Sequence, residues 1–467
     1  MPSQPINSAP GAHSPRYTRL LFAIVVIACA LGGMTQTALN TMATSVLDDL
    51  ATDIGWGQWL TTIYIFFMGA AVPLASFLQR KLSVRSLLLI SLGFYLVGSL
   101  CDFLSFTFAM LIAGRVLEAA ATGILMPLLQ TIAMTRFPEN RHGTAMGIAG
   151  IALGFAPNIG PVLGGAIASG IGWRFLFLLL AVASAVLVVC TLAVVDERDA
   201  KEPAATLDAV SLVLSTLGFG GLLLGFTAAA NVSLSHPLVW ASAAVGAACV
   251  VAFFARQKTI EQPLINLRIF TYRPYRSSLL SQCLLYGCFM GMTLIIPLCV
   301  VEAGGHSAFE AGLVLMPGAL AALIFEPGAG AASDKFGPRR VAIFGGILLA
   351  AGAISIAFVP SDAPLWIPAA CQTMRCMGLT TLIPTTTAFG LGPLGKEGLT
   401  TDGSATLIMS RQIAAALATA AMVFLLKLFT APETPLLGYH MALGFSGALA
   451  ALCLVAVVCG IRDKKAA

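Results

Sequence analysis

Apolar runs about 20 residues long, each ended by a cluster of Lys, Arg, Gly or Pro, repeat along almost the whole chain. They fall near residues 20–46, 58–79, 86–106, 108–134, 143–169, 173–195, 208–229 and 237–257, then 277–301, 308–332, 340–359, 365–388, 403–429 and 438–461. The spacing predicts fourteen membrane-spanning helices. Lipid offers no partner to a free N–H or C=O, so long apolar runs must be helical, and the expected class is an all-α membrane protein. An even number of spans brings both chain ends to one side. Residues 1–19 are polar, with Pro5, Pro10 and Pro15, and show no short apolar core followed by a small-residue cleavage site. The first span is therefore expected to act as its own insertion signal.

Composition agrees with the pattern. Of 467 residues, 58% are hydrophobic and 10% charged, against about 25% charged in a soluble domain. Charge placement fixes the expected orientation, because cytoplasmic connections carry the excess of Lys and Arg. With the amino terminus inside, 21 of the 26 basic residues fall on the inner side. Arg174 and Lys427 fall toward the outer side, and Arg115, Arg375 and Arg411 lie inside spans. Both termini are thus expected in the cytoplasm and the protein in the cytoplasmic (inner) membrane. The net charge of +5 expresses this inward bias and calls for no nucleic-acid partner. Eleven cysteines lie in or at the ends of apolar runs without a C-x-x-C pair, so they read as buried thiols. The five histidines have no metal-ligand spacing, and no Gly-rich phosphate loop points to ATP. An intramembrane enzyme would need a nucleophile or metal set inside a span, and a sensor would need a soluble output domain; neither is visible.

The chain also repeats itself. Ser76-Phe77-Leu78-Gln79-Arg80-Lys81-Leu82-Ser83-Val84-Arg85 follows the second span, and Gly330-Ala331-Ala332-Ser333-Asp334-Lys335-Phe336-Gly337-Pro338-Arg339-Arg340 follows the tenth. Arg115 in the fourth span matches Arg375 in the fourth span of the later set. The predicted organisation is a tail (1–19), a six-helix bundle (20–195), a linker (196–207), two inserted helices (208–257), a second linker (258–276), a second six-helix bundle (277–461) and a tail (462–467). Repeats of this kind build a midplane site between two rocking bundles.

In the fifth span, Gly154-Phe155-Ala156-Pro157-Asn158-Ile159-Gly160-Pro161-Val162-Leu163-Gly164-Gly165 packs four glycines and two prolines into twelve residues. Small residues at this spacing let a partner helix approach closely. The stretch resembles the antiporter signature G-x-x-x-G-P-x-x-G-G, with Ala156 at its first glycine. The loop from Gly330 to Arg340 resembles the inner-loop signature G-x-x-x-D-[RK]-x-G-x-[RK]-[RK], whereas the earlier copy has Arg80 where the acid would be. Gln58-Trp59-Leu60, Trp173-Arg174-Phe175, Met316-Pro317-Gly318 and Arg411-Gln412-Ile413 add to the match. On these motifs the chain is similar to the fourteen-span drug:proton antiporters of the major facilitator superfamily. The resemblance implies the facilitator fold as 6 + 2 + 6 helices. It also implies proton-driven export of small amphipathic compounds by alternating access, with a proton gradient and no cofactor. A metabolite exporter or importer on the same scaffold is the alternative, and the expected working unit is a single chain in the bilayer.

Charged groups at mid-membrane cost at least about 2.5–3.5 kcal/mol each, which marks them as functional candidates. Five are visible: Arg115, Arg375, Arg411, Glu118 and Glu326. Arg115 and Glu118, three apart, share a helix face and can pair, either as a proton-coupling group or as a static pair. The resembling family usually has R-x-x-Q-G here, so Glu118 replaces an amide with a titratable acid. Glu326 lies about 12 Å inside the helix end marked by Asp334, beside Pro327, and reads as a carrier or as a structural acid. The family's first-span D-x-T-x-x-N appears as Thr35-Gln36-Thr37-Ala38-Leu39-Asn40, without its acid. The proton-coupling set is therefore Glu118, Glu326 and Arg115. Gln36, Asn40, Tyr64, Phe67, Met68 and Asn158 are candidates to line a substrate cavity, with Met126 and Met290. Gly154, Pro157, Gly160, Pro161, Gly164 and Gly165 form the antiporter motif. Gly330, Asp334, Lys335, Gly337, Arg339 and Arg340 are expected to latch inner helix ends together. No metal site is expected.

Overall fold

The computed structural model describes residues 14–52, 57–196, 207–231, 237–260, 262–360, 363–430 and 435–462. Among them there is no strand. Helix α1 (Pro15–Asp49) starts five residues before the predicted span, because Ser14 accepts the Tyr17 N–H at 3.2 Å and Pro15 fits the first turn. Helix α2 (Gly57–Lys81) is followed by α3 (Val84–Phe103), capped by Ser83, and α4 (Phe108–Thr135), capped by Thr107.

The predicted fifth span is not one continuous α-helix. It is α5 (His142–Gly150), a π segment (Ile151–Phe155) and α6 (Ala156–Gly170), bent by 44°. The cause is local: a proline ring clashes with the carbonyl four residues earlier and cannot donate to it. Just ahead of Pro157 the ladder widens, and Ala156 N–H reaches back to Ile151 O. Next come α7 (Arg174–Val194), α8 (Ala209–Asn231), α9 (Pro237–Gln257), α10 (Arg273–Leu298) and α11 (Ala308–Phe336). The last four are α12 (Pro338–Ile356), α13 (Trp366–Leu391), α14 (Thr400–Phe429) and α15 (Pro435–Gly460). Among the described residues, twelve helices are long and apolar enough to cross a membrane, and the bent α5–α6 pair passes as a thirteenth. Helix α13 falls short on hydropathy because it carries Gln372, Arg375 and five threonines from Thr380 to Thr387, most of them buried.

Packing divides the apolar core unevenly. One cluster holds Leu111, Phe177 and Met42 from α1–α7 alone, and another holds Leu285, Leu349 and Leu443 from α10–α15 alone. The largest spans both groups, joining Phe22, Leu129 and Met146 to Tyr275, Leu394 and Ile408. These residues sit at the end where α1 begins and α15 stops. The two groups therefore share a core at this terminal end and keep separate cores elsewhere.

Helix α8 packs on α9, α2 and α14, while α9 packs mainly on α8. Arg256 closes the pair at its end by donating to Asp208 at 2.7 and 3.0 Å. The segment leading to α10 is then held from both sides. Arg80 of α2 donates to Pro263 O at 3.0 Å, and Asn266 N–H donates to Asp402 of α14 at 3.0 Å.

Candidate functional site

Helix α4 brings Arg115 and Glu118 one turn apart, both fully buried, with Nη1 to Oε2 at 2.9 Å. Arg115 also donates to Thr35 O at 3.3 Å, and its guanidinium lies 4.1 Å from the Tyr64 ring centre. Ser99 of α3 donates to Glu118 Oε1 at 2.7 Å. Tyr64 donates to Gly32 O at 2.9 Å and bonds the Thr122 hydroxyl at 2.7 Å. Thr35 bonds Tyr95 OH. This network knits α1, α2, α3 and α4 around one ion pair, and Thr35, where the resembling family carries its acid, is a member of it.

Glu326 occupies a different seam. Gly143, Gly147, Gly150 and Gly154, at spacings that keep to one helix face, line the side of α5 and the π segment that meets α11. A Cβ on Gly147 would meet Glu326 O at 2.6 Å, one on Gly150 would meet Glu326 Cδ at 3.1 Å, and one on Gly154 would strike Glu326 Oε1. Glycine is what admits the carboxyl here. The side chain is fully buried, and no cation lies on it among the described residues. The Phe155 amide approaches it without closing a full hydrogen bond. Burying a carboxyl without a hydrogen-bond partner or countercharge is costly, which marks the group as more than packing.

Toward the terminal end of the same seam, Asp334 accepts from Gly143 N–H and Thr144 N–H at 2.7 Å each and from the Thr144 hydroxyl at 2.6 Å. A carboxylate at a helix start satisfies free amides and meets the positive end of the dipole. Gly330 lies against Gly143, and Gly337, at φ 88°, makes the turn into α12 in a region where glycine is favoured. Lys335, Arg339 and Arg340 are exposed around this turn. Two of the remaining motif glycines face α1: a Cβ on Gly160 would meet Met34 O at 2.5 Å and one on Gly164 would meet Ala38 O at 2.6 Å. Thr37 and Thr41 donate to Pro157 O and Pro161 O at 2.7 and 3.0 Å. Gly165 faces open space.

Around α10 two further cations are buried. Arg375 donates to Gln372 at 2.8 Å, while Arg411 stacks 4.5 Å from the Tyr286 ring centre with Nε and Nη1 unbonded.

Residues 24–419 match the Major Facilitator Superfamily. The chain belongs to that superfamily. This facilitator is 29% identical over 442 residues to the uncharacterized MFS-type transporter YcnB of Bacillus subtilis, covering 93% of each chain. It is 30% identical over 407 residues to the lincomycin resistance protein LmrB of the same organism, covering 85% of this chain and 83% of that one. Its fold is similar to that of the human organic anion transporter MFSD10, at TM-score 0.68 and 14% identity, covering 95% of this chain and all of the other. The proton:xylose symporter XylE gives TM-score 0.66 at 12% identity and 97% coverage of each chain. The protein is a transporter, not an enzyme.

Of the facilitator's residues read from sequence, Arg115, Glu118 and Tyr64 come together, with Met68 packed beside Tyr64 and Ala119. Glu326 meets the antiporter-motif region through Gly150 and Gly154 and lies apart from that network. Gln36 is 9% exposed and Phe67 37% exposed. The side chains of Asn40 and Asn158 lie outside the described residues. Two buried acids escaped the sequence reading. Asp102 of α3 is fully buried, and Asp402 of α14 is 5% exposed. Asp102 stands within the apolar run 86–106, so an acid among apolar residues was itself the signal; its position near the run's end disguised it.

Proposed function

We propose that this facilitator is a proton-coupled secondary transporter that exports small amphipathic compounds across the cytoplasmic membrane by alternating access. The observation that carries the reading is Glu326, buried without countercharge at a seam between the two helix groups. A carboxyl there gains or loses a proton only as that seam opens, which ties protonation to conformation. The Arg115–Glu118 pair is the second coupling element, and Gln36, Asn40, Tyr64, Phe67, Met68 and Asn158 are assigned to the substrate side of the pathway. The relative named for lincomycin resistance supports a drug-like substrate.

In this reading α1–α7 form the first six spans, α8–α9 the insert and α10–α15 the last six, with α5–α6 as one broken span and α13 as a polar one. Both termini are cytoplasmic, so the shared core closes the inner side. The facilitator works as a single chain, uses the proton gradient and needs no cofactor. Introduced cysteines test the topology: Phe106 and Phe358 should label from outside, and Thr259 and Lys396 from inside. Labelling of Phe106 and Phe358 on opposite faces would sink the fourteen-span count.

Function is tested in inverted vesicles or proteoliposomes with an imposed pH gradient and a panel of cationic dyes and neutral drugs. Accumulation should collapse when the gradient is dissipated. Gln at Glu326 or Glu118 should stop substrate-driven proton movement while the folded protein persists. Transport that ignores the gradient, or a double Gln variant that still moves protons against drug, overturns the reading.

A further inference from the structure

The seam between α3 and α4 holds a second acid beside the Arg115–Glu118 pair. The two antiparallel helices exchange glycines and carboxyls. Gly98 of α3 lies against Glu118, where a Cβ would meet Glu118 Cγ at 2.9 Å; Gly114 of α4 lies against Asp102, whose Oδ1 such a Cβ would strike. Asp102 and Glu118 each stand four residues beyond the glycine on their own helix. Their helix positions are thus about one turn, 5–6 Å, apart along one seam, and because each side chain leans toward its own helix N-terminus the two carboxyls lean toward each other. Asp102 is fully buried, and both its oxygens lack a hydrogen-bond partner among the described residues.

The groups that face it can be named. From α4 come Arg115 and Glu118, and from α3 itself Cys101, while Tyr95 of α3 faces Glu118. Tyr64 of α2 lies across Arg115. On the α7 side, Arg174 is engaged by Asp49 and by Ser105 O at 2.7 Å. Two carboxyls therefore stand near one buried guanidinium, which bonds Glu118 and leaves both Asp102 oxygens unbonded. Both ionised, they leave an uncompensated negative charge in a sealed, low-dielectric site, and two close carboxyls in such a place retain a proton between them.

We propose that Asp102 is a proton-binding site that shares one proton with Glu118 and forms the outer station of the proton path. The proposal rests on the proton-coupled reading above. Access favours this order: Asp102 is one turn from the loop carrying Leu104 and Phe106, which are 57% and 78% exposed, whereas Glu118 lies deeper. In the transfer, the O–H bond of Asp102 breaks and its electron pair stays on that carboxylate. The proton bonds to a Glu118 oxygen, and the negative charge that Arg115 balances moves from Glu118 to Asp102. The acid missing from the first span at Thr35 is thereby replaced from two neighbouring helices that face the same arginine.

Infrared difference spectra of the purified full-length protein, taken across a pH titration without substrate, read the carboxylic-acid carbonyl band directly. Wild type should titrate this pair in two coupled steps. Asp102→Asn and Glu118→Gln should each leave one, and Asp102→Glu should restore two. If Asp102→Asn does not survive purification, Asp102→Glu and Glu118→Gln against wild type carry the same comparison. Efflux of ethidium driven by a pH gradient separates the two layers of the argument. A gradient-driven wild type whose spectrum Asp102→Asn leaves unchanged overturns the shared site alone. A wild type that titrates in two steps yet exports without regard to the gradient defeats the coupling reading, and the relay with it.

Discussion

At the scale of single residues, buried charge is what distinguishes this protein from a bundle of apolar helices. Arg115 satisfies Glu118, a backbone carbonyl and an aromatic face at once. Arg115→Ala should abolish export while leaving protein in the membrane, because the carboxyl it leaves behind can take up a proton. Arg115→Lys should rescue only in part, since an ammonium lacks the forked geometry that serves several partners. Efflux normalised to purified yield decides the matter, and full activity in Arg115→Ala would refute it. Gly154 carries the complementary argument. An added methyl collides with the Glu326 carboxyl, and overpacking of a tight seam costs about 1–3 kcal/mol. Gly154→Ala should lower the melting temperature and slow transport. Combining it with Glu326→Ala should recover stability without recovering transport.

At the scale of helices, caps and ends do what side-chain charges would be too costly to do mid-membrane. Asp334 caps α5 across the seam, and losing such a cap costs about 0.5–2 kcal/mol. Asp334→Ala should therefore weaken closure of the terminal end. Cysteines at Glu139 and Lys396, whose side chains meet at 3.3 Å, should cross-link more slowly in that background. At the start of α8, hydrogen bonds from Arg256 hold the Asp208 carboxyl below the usual carboxylate range, with Ser211 assisting. An acid depressed in the folded state stabilises fully above its ordinary value and loses that contribution as pH falls toward the lowered one. Docking of α8 on α9 should then be insensitive to pH near neutrality and weaken in acid below about pH 4. Asp208→Asn should melt earlier at neutral pH and show less of that dependence. Most helices were legible in the sequence, because lipid enforces length and apolarity together. The break in the fifth span was not, since glycine and proline state that backbone is irregular there without stating how neighbours re-satisfy it. Helix α13 shows the converse: its arginine and threonines lower its hydropathy because other helices, rather than lipid, surround them.

At the scale of the whole molecule, residue pairs distant in sequence were the least visible. Gly143 to Gly154 against Glu326, and Gly98 with Gly114 around Asp102, appear only once helices are placed side by side. Arg80, read in sequence as a defect of the first loop repeat, proves to grip the segment before α10 from α2 while Asp402 grips it from α14. What those two side chains touch there is main chain: the carbonyl oxygen of Pro263 and the amide of Asn266. Every residue carries that oxygen, and every residue but proline carries that amide. At Pro263 the spelling is therefore nearly free, whereas Asn266 also caps the next turn, its Oδ1 accepting the Arg268 N–H at 3.0 Å, and the length of the segment is fixed. Pro263→Ala should export like wild type, Asn266→Ala should lose its cap at a cost of about 0.5–2 kcal/mol, Asn266→Pro should not export, and removing one residue between them should be worse than any single exchange. A deep mutational scan that includes deletions would display this as one tolerant column inside a stretch that accepts no change of frame.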